Sequence, residues 1–161
     1  MNVDCDWDAV MYCWILVFLQ FALASVLVLT TKWWPIPWVA VLCLLPGVGL
    51  AVWAWFSVGL RKLRVHPTPT DDTTLICNGP YAIVRHPMYT GLLWFTLVLV
   101  VTQWTWLRGM LYGALLADLI LKARVEEIAL QSQFTDYCEY RKRVGGLFPK
   151  LRWRPSRSHE G

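Results

Sequence analysis

Residues 77–91 read CNGPYAIVRHPMYTG, and this stretch predicts where the chain turns, where a helix begins and where ligand-binding groups gather. The residue before a proline is biased away from helix, so Gly79-Pro80 and His86-Pro87 predict turns or helix starts. Pro87 then begins a helix, which places His86 beside backbone N–H groups that have no helical partner. Six side chains of the stretch are suited to ligand contact: Asn78, Tyr81, Arg85, His86, Tyr89 and Thr90.

The composition of the whole chain indicates an integral membrane protein. Of the 161 residues, 57% are hydrophobic and only 16% are charged, and the mean hydropathy is +0.43. A soluble domain of this length has too little interior to bury so much apolar surface. The 11 tryptophans agree with this, because indole rings favour the membrane interface. The expected partner is therefore the lipid bilayer, and no nucleic-acid partner is predicted.

The apolar runs on either side of the opening stretch predict an all-α integral membrane protein with four transmembrane helices, at about 9–30, 38–60, 87–103 and 107–121. We expect a single membrane domain, 1–161, in which a cytoplasmic loop and a helical C-terminal tail form one cavity. The fourth helix is expected to leave the bilayer and continue unbroken until Gly145-Gly146 ends it.

The orientation follows from the distribution of Lys and Arg. With the loop that ends at His86 in the cytoplasm, 13 of the 15 Lys and Arg residues are cytoplasmic, leaving Lys32 and Arg108 outside. Both termini and the candidate site are then cytoplasmic. The compact tail and the absence of a eukaryotic targeting motif favour a bacterial inner membrane.

Charged residues near the end of the fourth span form a second candidate group. Asp118, Lys122 and Glu126 share one helical stripe, and Arg124 and Glu127 form an i, i+3 pair on a neighbouring face. Charges at membrane depth are costly, so Asp118 is expected to have a partner, with Lys122 the nearest candidate. The alternative is a set of snorkelling charges that marks the exit of the helix from the membrane.

Other features give weaker signals. Tyr137, Tyr140 and Arg141 share a helical face and would either fold back over the cavity or lie along the lipid headgroups. The five cysteines show no CxxC spacing, and a His86, His66 and Glu126 metal site lacks the usual ligand spacing, so no metal is predicted. The sequence also contains no GxGxxG, P-loop or GxSxG motif.

Taken together, GPYAIVRHPMYTG and the later RVEEIALQSQFTDYCEYRKRV, followed by Phe-Pro, resemble the isoprenylcysteine carboxyl methyltransferase family. That family is related to the membrane phospholipid N-methyltransferases, and the resemblance covers about residues 65–150. It implies that S-adenosylmethionine binds on the cytoplasmic side, in a cofactor cavity formed by the cytoplasmic loop and the helical C-terminal tail, leaving S-adenosylhomocysteine as the product. It also implies a lipophilic acceptor that enters from the membrane. Residues 65–150 would then form the catalytic region.

Carried over position by position, the resemblance assigns the cofactor contacts to the loop, the following helix start and one glutamate: Thr73, Thr74, Leu75, Ile76, Tyr81, Arg85, His86, Pro87, Met88, Tyr89 and Glu126. The catalytic group would be Glu126, Glu127, Lys122 and Arg124. The family's substrate-side arginine falls on Lys122, with Arg124 two residues further on. Because lysine lacks the bidentate fork of arginine, the acceptor stays open between an isoprenylcysteine-like carboxylate and a lipid amine.

Two other functions stay open. A membrane reductase of the sterol C14-reductase kind shares an RHPxY-like segment and a similar tail, but uses NADPH. A non-catalytic membrane scaffold is the third possibility. The GPY sequence and the Glu126-Glu127 pair favour the methyltransferase, and a scaffold needs none of the candidate site residues. The sequence does not indicate an oligomeric state.

Overall fold

The computed structural model describes residues 7–35, 37–58, 75 and 77–150, with side chains from residue 11 onward. Over these ranges the chain forms five α-helices and a short 3-10 helix at Gly79–Ala82. No β-strand occurs in these ranges, and a single bridge joins Val84 to Gly145. The all-α prediction is therefore confirmed for the described part of the chain. The helices are α1 (Trp7–Leu29), α2 (Trp38–Val58), α3 (Pro87–Thr102), α4 (Trp106–Gln133) and α5 (Tyr137–Arg143).

Two of these helices are long and apolar enough to cross a bilayer, namely Met11–Leu29 of α1 and the whole of α2. Their outer surfaces expose large apolar side chains such as Phe18 and Phe56, as expected for lipid contact. The 16 residues of α3 are apolar but span only about 24 Å, which is shorter than a typical hydrocarbon core. Membrane crossing by α3 and α4 stays a prediction, as does the cytoplasmic orientation.

The helices pack in pairs, α1 along α4 and α2 along α3. At the α2–α3 contact, a Cβ added to Gly91 would lie 2.6 Å from the carbonyl oxygen of Gly47. Only glycine allows this approach between the two backbones. Pro46 removes a backbone donor from the same part of α2, and Trp94 Nε1 donates to the nearby Cys43 carbonyl at 2.8 Å. Gly47 and Gly91 thus allow α2 and α3 to pack closely.

The prediction of an unbroken fourth helix is wrong. α4 ends at Gln133, Phe134 is extended with φ −124° and ψ 116°, and α5 begins at Tyr137. The break turns α5 back, so that Tyr137 and Tyr140 are buried against α4 and the residues before the 3-10 helix. A continuous helix would leave both aromatic rings in water, so their burial favours the break. We call residues 137–147 the C-terminal bracket.

Candidate active site

The segment before α3 is held in place by the C-terminal bracket. The 3-10 helix begins at Gly79, whose φ of 63° favours glycine. After it, Arg85 N donates to the Gly145 carbonyl at 2.8 Å, and His86 N donates to the Gly146 carbonyl at 3.2 Å. His86 is the N-cap residue of α3 and makes no side-chain cap hydrogen bond, and Pro87 begins the helix. The imidazole of His86 is thereby available to other groups.

A cavity of about 350 Å³ lies where this segment meets α1, α3 and α4. This volume is within the range of small-molecule sites in proteins. Eight of its eleven lining residues were predicted from the sequence. The lining residues are Gln20, Phe21, Tyr81, Arg85, His86, Pro87, Met88, Tyr89, Lys122, Glu126 and Leu130.

Glu126 is the carboxylate of this cavity, and its side chain is 41% exposed. Its Oε1 accepts a short hydrogen bond from the Tyr89 hydroxyl, and its Oε2 lies 3.5 Å from His86 Nδ1. Burial opposes ionisation, but the hydrogen bonds from His86 and Tyr89, with the nearby charges of His86 and Lys122, outweigh it and lower the pKa of Glu126. Glu126 therefore presents a negative charge to the cavity at neutral pH.

Glu127 is buried behind the cavity and bonds to the protein itself. Its Oε1 accepts from Arg85 Nε at 2.9 Å and Arg85 Nη2 at 2.5 Å, and it lies 3.3 Å from His86 Nε2. Its Oε2 lies 3.4 Å from Arg141 Nε. Arg85 Nη1 also donates to the Val144 carbonyl at 2.6 Å. Glu127 and Arg85 therefore join α4 to the bracket, and His86 lies between two carboxylates.

Lys122 places a positive charge on the same wall as Glu126. Its Nζ donates to Gln20 Oε1 at 3.0 Å and lies 4.9 Å from the centroid of the Tyr89 ring. The Tyr89 ring in turn stacks on His86, with centroids 5.4 Å apart and an interplanar angle of 7°. Gln20, which is buried, was not among the predicted site residues, although an amide inside an otherwise apolar span is a recognisable signal in the sequence.

Tyr81 completes the outer wall. Its backbone carbonyl accepts from the Tyr140 hydroxyl at 2.6 Å, which joins it to the bracket. Burial, together with the negative charge of Glu126, raises the pKa of Tyr81. Tyr81 is therefore a neutral hydrogen-bond donor across the physiological pH range.

Two predicted ion pairs are wrong. Glu127 bonds to Arg85 instead of Arg124, and Arg124 is exposed and does not line the cavity. Lys122 donates to Gln20 instead of Asp118. The Asp118 side chain is buried, and among the described residues neither of its carboxylate oxygens has a hydrogen-bond partner. In both cases a residue distant in sequence takes the place of the expected helical neighbour.

The remaining predicted residues lie away from the cavity or outside the described ranges. Leu75 packs against the buried Tyr137 and Tyr140 and lines a different pocket. Thr90 donates to the Leu147 carbonyl at 2.7 Å, and Asn78 is exposed. The positions that lie outside the described residues are Thr73, Thr74, Ile76 and His66.

Comparison with known proteins identifies relatives. The model of the phospholipid methyltransferase family matches residues 35–137, which include every cavity residue except Gln20 and Phe21. The chain is also similar to the cobalt-zinc-cadmium resistance protein CzcN of Cupriavidus metallidurans, with 32% identity over 146 residues. That match covers 84% of this chain and 62% of CzcN, so the chain spans less than two thirds of this relative's length. No solved structure matches the chain.

Proposed function

Because this chain belongs to the phospholipid methyltransferase family, which is made up of methyltransferases, we propose that it transfers a methyl group from S-adenosylmethionine to a lipophilic acceptor in the membrane. The amine of a phospholipid is the acceptor that the site favours. The observation that carries the proposal is one cavity wall on which Glu126, His86, Tyr89 and Lys122 meet.

The residues of the cavity fit this cofactor. The ionised Glu126 suits a cationic sulfonium or ammonium group. The first N–H groups of α3 have no helical partner and suit a carboxylate. Tyr81 offers an aromatic ring and a hydroxyl group for a nucleoside. When bound, S-adenosylmethionine supplies an electrophilic methyl group.

The charges on α4 favour a phospholipid amine over a simple carboxylate as acceptor. Lys122 and Glu126 both line the cavity and are one helical turn apart, about 6 Å along the axis. A phospholipid with an amine headgroup carries a phosphate and an ammonium close together, so Lys122 would bind the phosphate and Glu126 the amine. A carboxylate acceptor would satisfy Lys122 but would bring a second negative charge towards Glu126.

The main role of Glu126 would be to bind and align the acceptor, and its secondary role would be to accept the proton of the acceptor. An amine attacks a methyl group only in its neutral form, so its ammonium must lose one proton. The lowered pKa of Glu126 makes it a weak base, but it keeps the carboxylate ionised at neutral pH. Alignment supplies much of the rate in a displacement of this kind. Tyr89 and His86, which contact the two oxygens of Glu126, would hold the carboxylate in position.

An apolar groove beside the cavity supports a lipophilic acceptor. This groove of about 270 Å³ lies between α2 and α3, and its lining includes Gly47, Ala51, Gly91 and Phe95. Met88 lines both the groove and the cavity, so the two spaces adjoin. The acyl chain of an acceptor would lie in the groove while its headgroup reaches Glu126.

Binding of the cofactor product gives the first test. Calorimetric titration of the detergent-purified protein with S-adenosylhomocysteine should show micromolar binding. Binding should be lost in Glu126→Ala and His86→Ala and kept in Glu139→Ala, which removes an exposed glutamate outside the cavity. Saturable binding of NADPH without binding of S-adenosylhomocysteine would instead support the reductase.

Methyl transfer from labelled S-adenosylmethionine tests the acceptor. Phosphatidylethanolamine should be methylated faster than a prenylcysteine analogue. Lys122→Gln should raise KM for the phospholipid, whereas Lys142→Gln, which removes an exposed lysine outside the cavity, should not. Preferential labelling of the prenylcysteine would reject the amine and keep the cofactor assignment.

A further inference from the structure

A second cavity, of about 400 Å³, lies at the other end of the helices. We call it the distal cavity. Arg108 on its wall and Glu126 in the candidate active site are separated along α4 by about 27 Å, close to the thickness of a hydrocarbon core. The distal cavity is thus at the opposite end of the molecule from the candidate active site. Its lining residues are Thr30, Lys32, Trp34, Pro35, Gln103, Trp104, Thr105 and Arg108.

Arg108 brings a buried positive charge to the distal cavity, because its residue exposure is only 6%. Its Nη2 donates to Thr31 Oγ1 at 2.8 Å and to the carbonyls of Leu27 and Leu99 at 3.3 and 3.2 Å. Its Nε has no hydrogen-bond partner among the described residues. All the acceptors of this guanidinium are neutral oxygens. A buried cation held only by neutral groups favours an anion nearby.

Lys32 adds a second positive charge on the same cavity. Gln103 holds its backbone, since Lys32 N donates to Gln103 Oε1 at 2.9 Å and Gln103 Nε2 donates to the Lys32 carbonyl at 2.6 Å. The cavity also contains Thr105, the N-cap of the 28-residue α4, whose N-terminal dipole adds positive potential. No carboxylate occurs among the lining residues, so the field of the cavity is positive.

The surroundings of the distal cavity indicate a lipid as the source of the anion. Trp34 and Trp104 line it and are 91% and 59% exposed, and the neighbouring Trp106 is 82% exposed. Exposed tryptophans mark the depth of the lipid headgroups. Two cations with no lining carboxylate also favour a headgroup with a net negative charge over a zwitterionic one.

We propose that the distal cavity binds the phosphodiester of an anionic phospholipid, at the membrane interface opposite the candidate active site. Lys32 and Arg108 contact the phosphate, and Trp34 and Trp104 flank the headgroup. The lipid would join the end of α1 to the start of α4, which Arg108 already connects through Thr30 and Thr31. This assignment does not depend on methyl transfer at the other end.

Native mass spectrometry of the full chain released from detergent tests the assignment. Phosphatidylglycerol should stay bound more tightly than phosphatidylcholine. Lys32→Gln should weaken phosphatidylglycerol binding about tenfold, equivalent to about 1.4 kcal/mol, and Lys32→Arg should restore it. Lys142→Gln removes one exposed positive charge outside this cavity and should leave binding unchanged.

Three results would overturn the assignment. Equal retention of phosphatidylcholine would remove the preference for a net negative headgroup. An equal loss of binding in Lys32→Gln and Lys142→Gln would indicate attraction by overall charge and no specific site. Displacement of the lipid by an equal concentration of glycerol 3-phosphate would make the cavity a site for a soluble phosphate.

Discussion

Glu126 and Glu127 are neighbours in the sequence, but α4 directs them to two different regions of the molecule. Successive helical residues point about 100° apart, so one carboxylate faces the cavity and the other faces the bracket. The Glu126 side chain is 41% exposed and bonds to Tyr89, whereas that of Glu127 is 9% exposed and bonds to Arg85. Glu126 is therefore available to a ligand, whereas Glu127 stabilises the fold.

Glu127 stabilises the position of the cavity residues through its contacts with Arg85 and the bracket. Arg85 donates to Glu127 and also to the Val144 and Arg141 carbonyls. This network joins α4, the segment before α3 and the bracket at one point. His86 contacts both glutamates, so the position of the cavity imidazole depends on the bracket. Substitution of Glu127 should therefore mainly lower stability, whereas substitution of Glu126 should mainly lower activity.

The largest effect is expected for Glu127→Ala. Removing one partner of a buried ion pair leaves the other charge unpaired, which costs about 3–5 kcal/mol. Denaturant unfolding in detergent micelles should show this loss. The matched control is Glu139→Ala, whose partner Arg143 is 65% exposed, and it should cost less than about 1 kcal/mol. Equal stability of the two variants would contradict a structural role for Glu127.

Glu126→Gln should have the opposite profile. The amide keeps the shape of the side chain but removes the negative charge, so we expect methyl transfer to fall about 10²-fold with little change in stability. The measurement combines initial rates with the same unfolding experiment, and Glu139→Gln serves as control. If Glu126→Gln lowers the stability but the folded variant keeps its rate of methyl transfer, Glu126 has a structural role like that of Glu127.

The pH dependence tests how the cavity holds Glu126 ionised. Its folded pKa is below its ordinary value of 4.5, so binding that needs its charge is complete above that value and is lost as the pH falls through the lowered pKa. Tyr89→Phe removes a donor to the carboxylate and should therefore move the acid limb to higher pH.

The acid limb is measured as S-adenosylhomocysteine affinity against pH, with circular dichroism at each pH to confirm folding. Tyr12→Phe, on the exposed surface of α1, is the matched control and should leave the limb in place. A limb that does not move in Tyr89→Phe would show that the hydroxyl does not help to ionise Glu126.

The sequence predicted the cavity side of this comparison better than the bracket side. His86-Pro87 marks a helix start locally, and Lys122 and Glu126 share a stripe by helical spacing alone, so both predictions rest on near neighbours. The Arg85–Glu127 pair joins residues 42 positions apart, where local spacing instead offered Arg124. No local rule predicts such a pairing, because it depends on where the chain folds back.

The break after α4 shows the same limit. Helical periodicity continues through this region, and neither Pro nor Gly interrupts it before Gly145. The break is favoured by burial of Tyr137 and Tyr140, which requires the preceding loop and α4 to be in place. A tertiary contact thus overrides local helix propensity.

The smallest effect is expected for Arg141→Ala, which tests how much the Arg141–Glu127 contact contributes to stability compared with the Arg85–Glu127 pair. Arg141 Nε lies 3.4 Å from Glu127, but the Arg141 side chain is 52% exposed, whereas that of Arg85 is 9% exposed. Water screens the exposed pair, so its loss should cost less than about 1 kcal/mol. Denaturant unfolding should therefore separate Arg141→Ala from Arg85→Ala by several-fold in free energy. If the two variants lose equal stability, Arg141 contributes to the buried Glu127 network as much as Arg85 does.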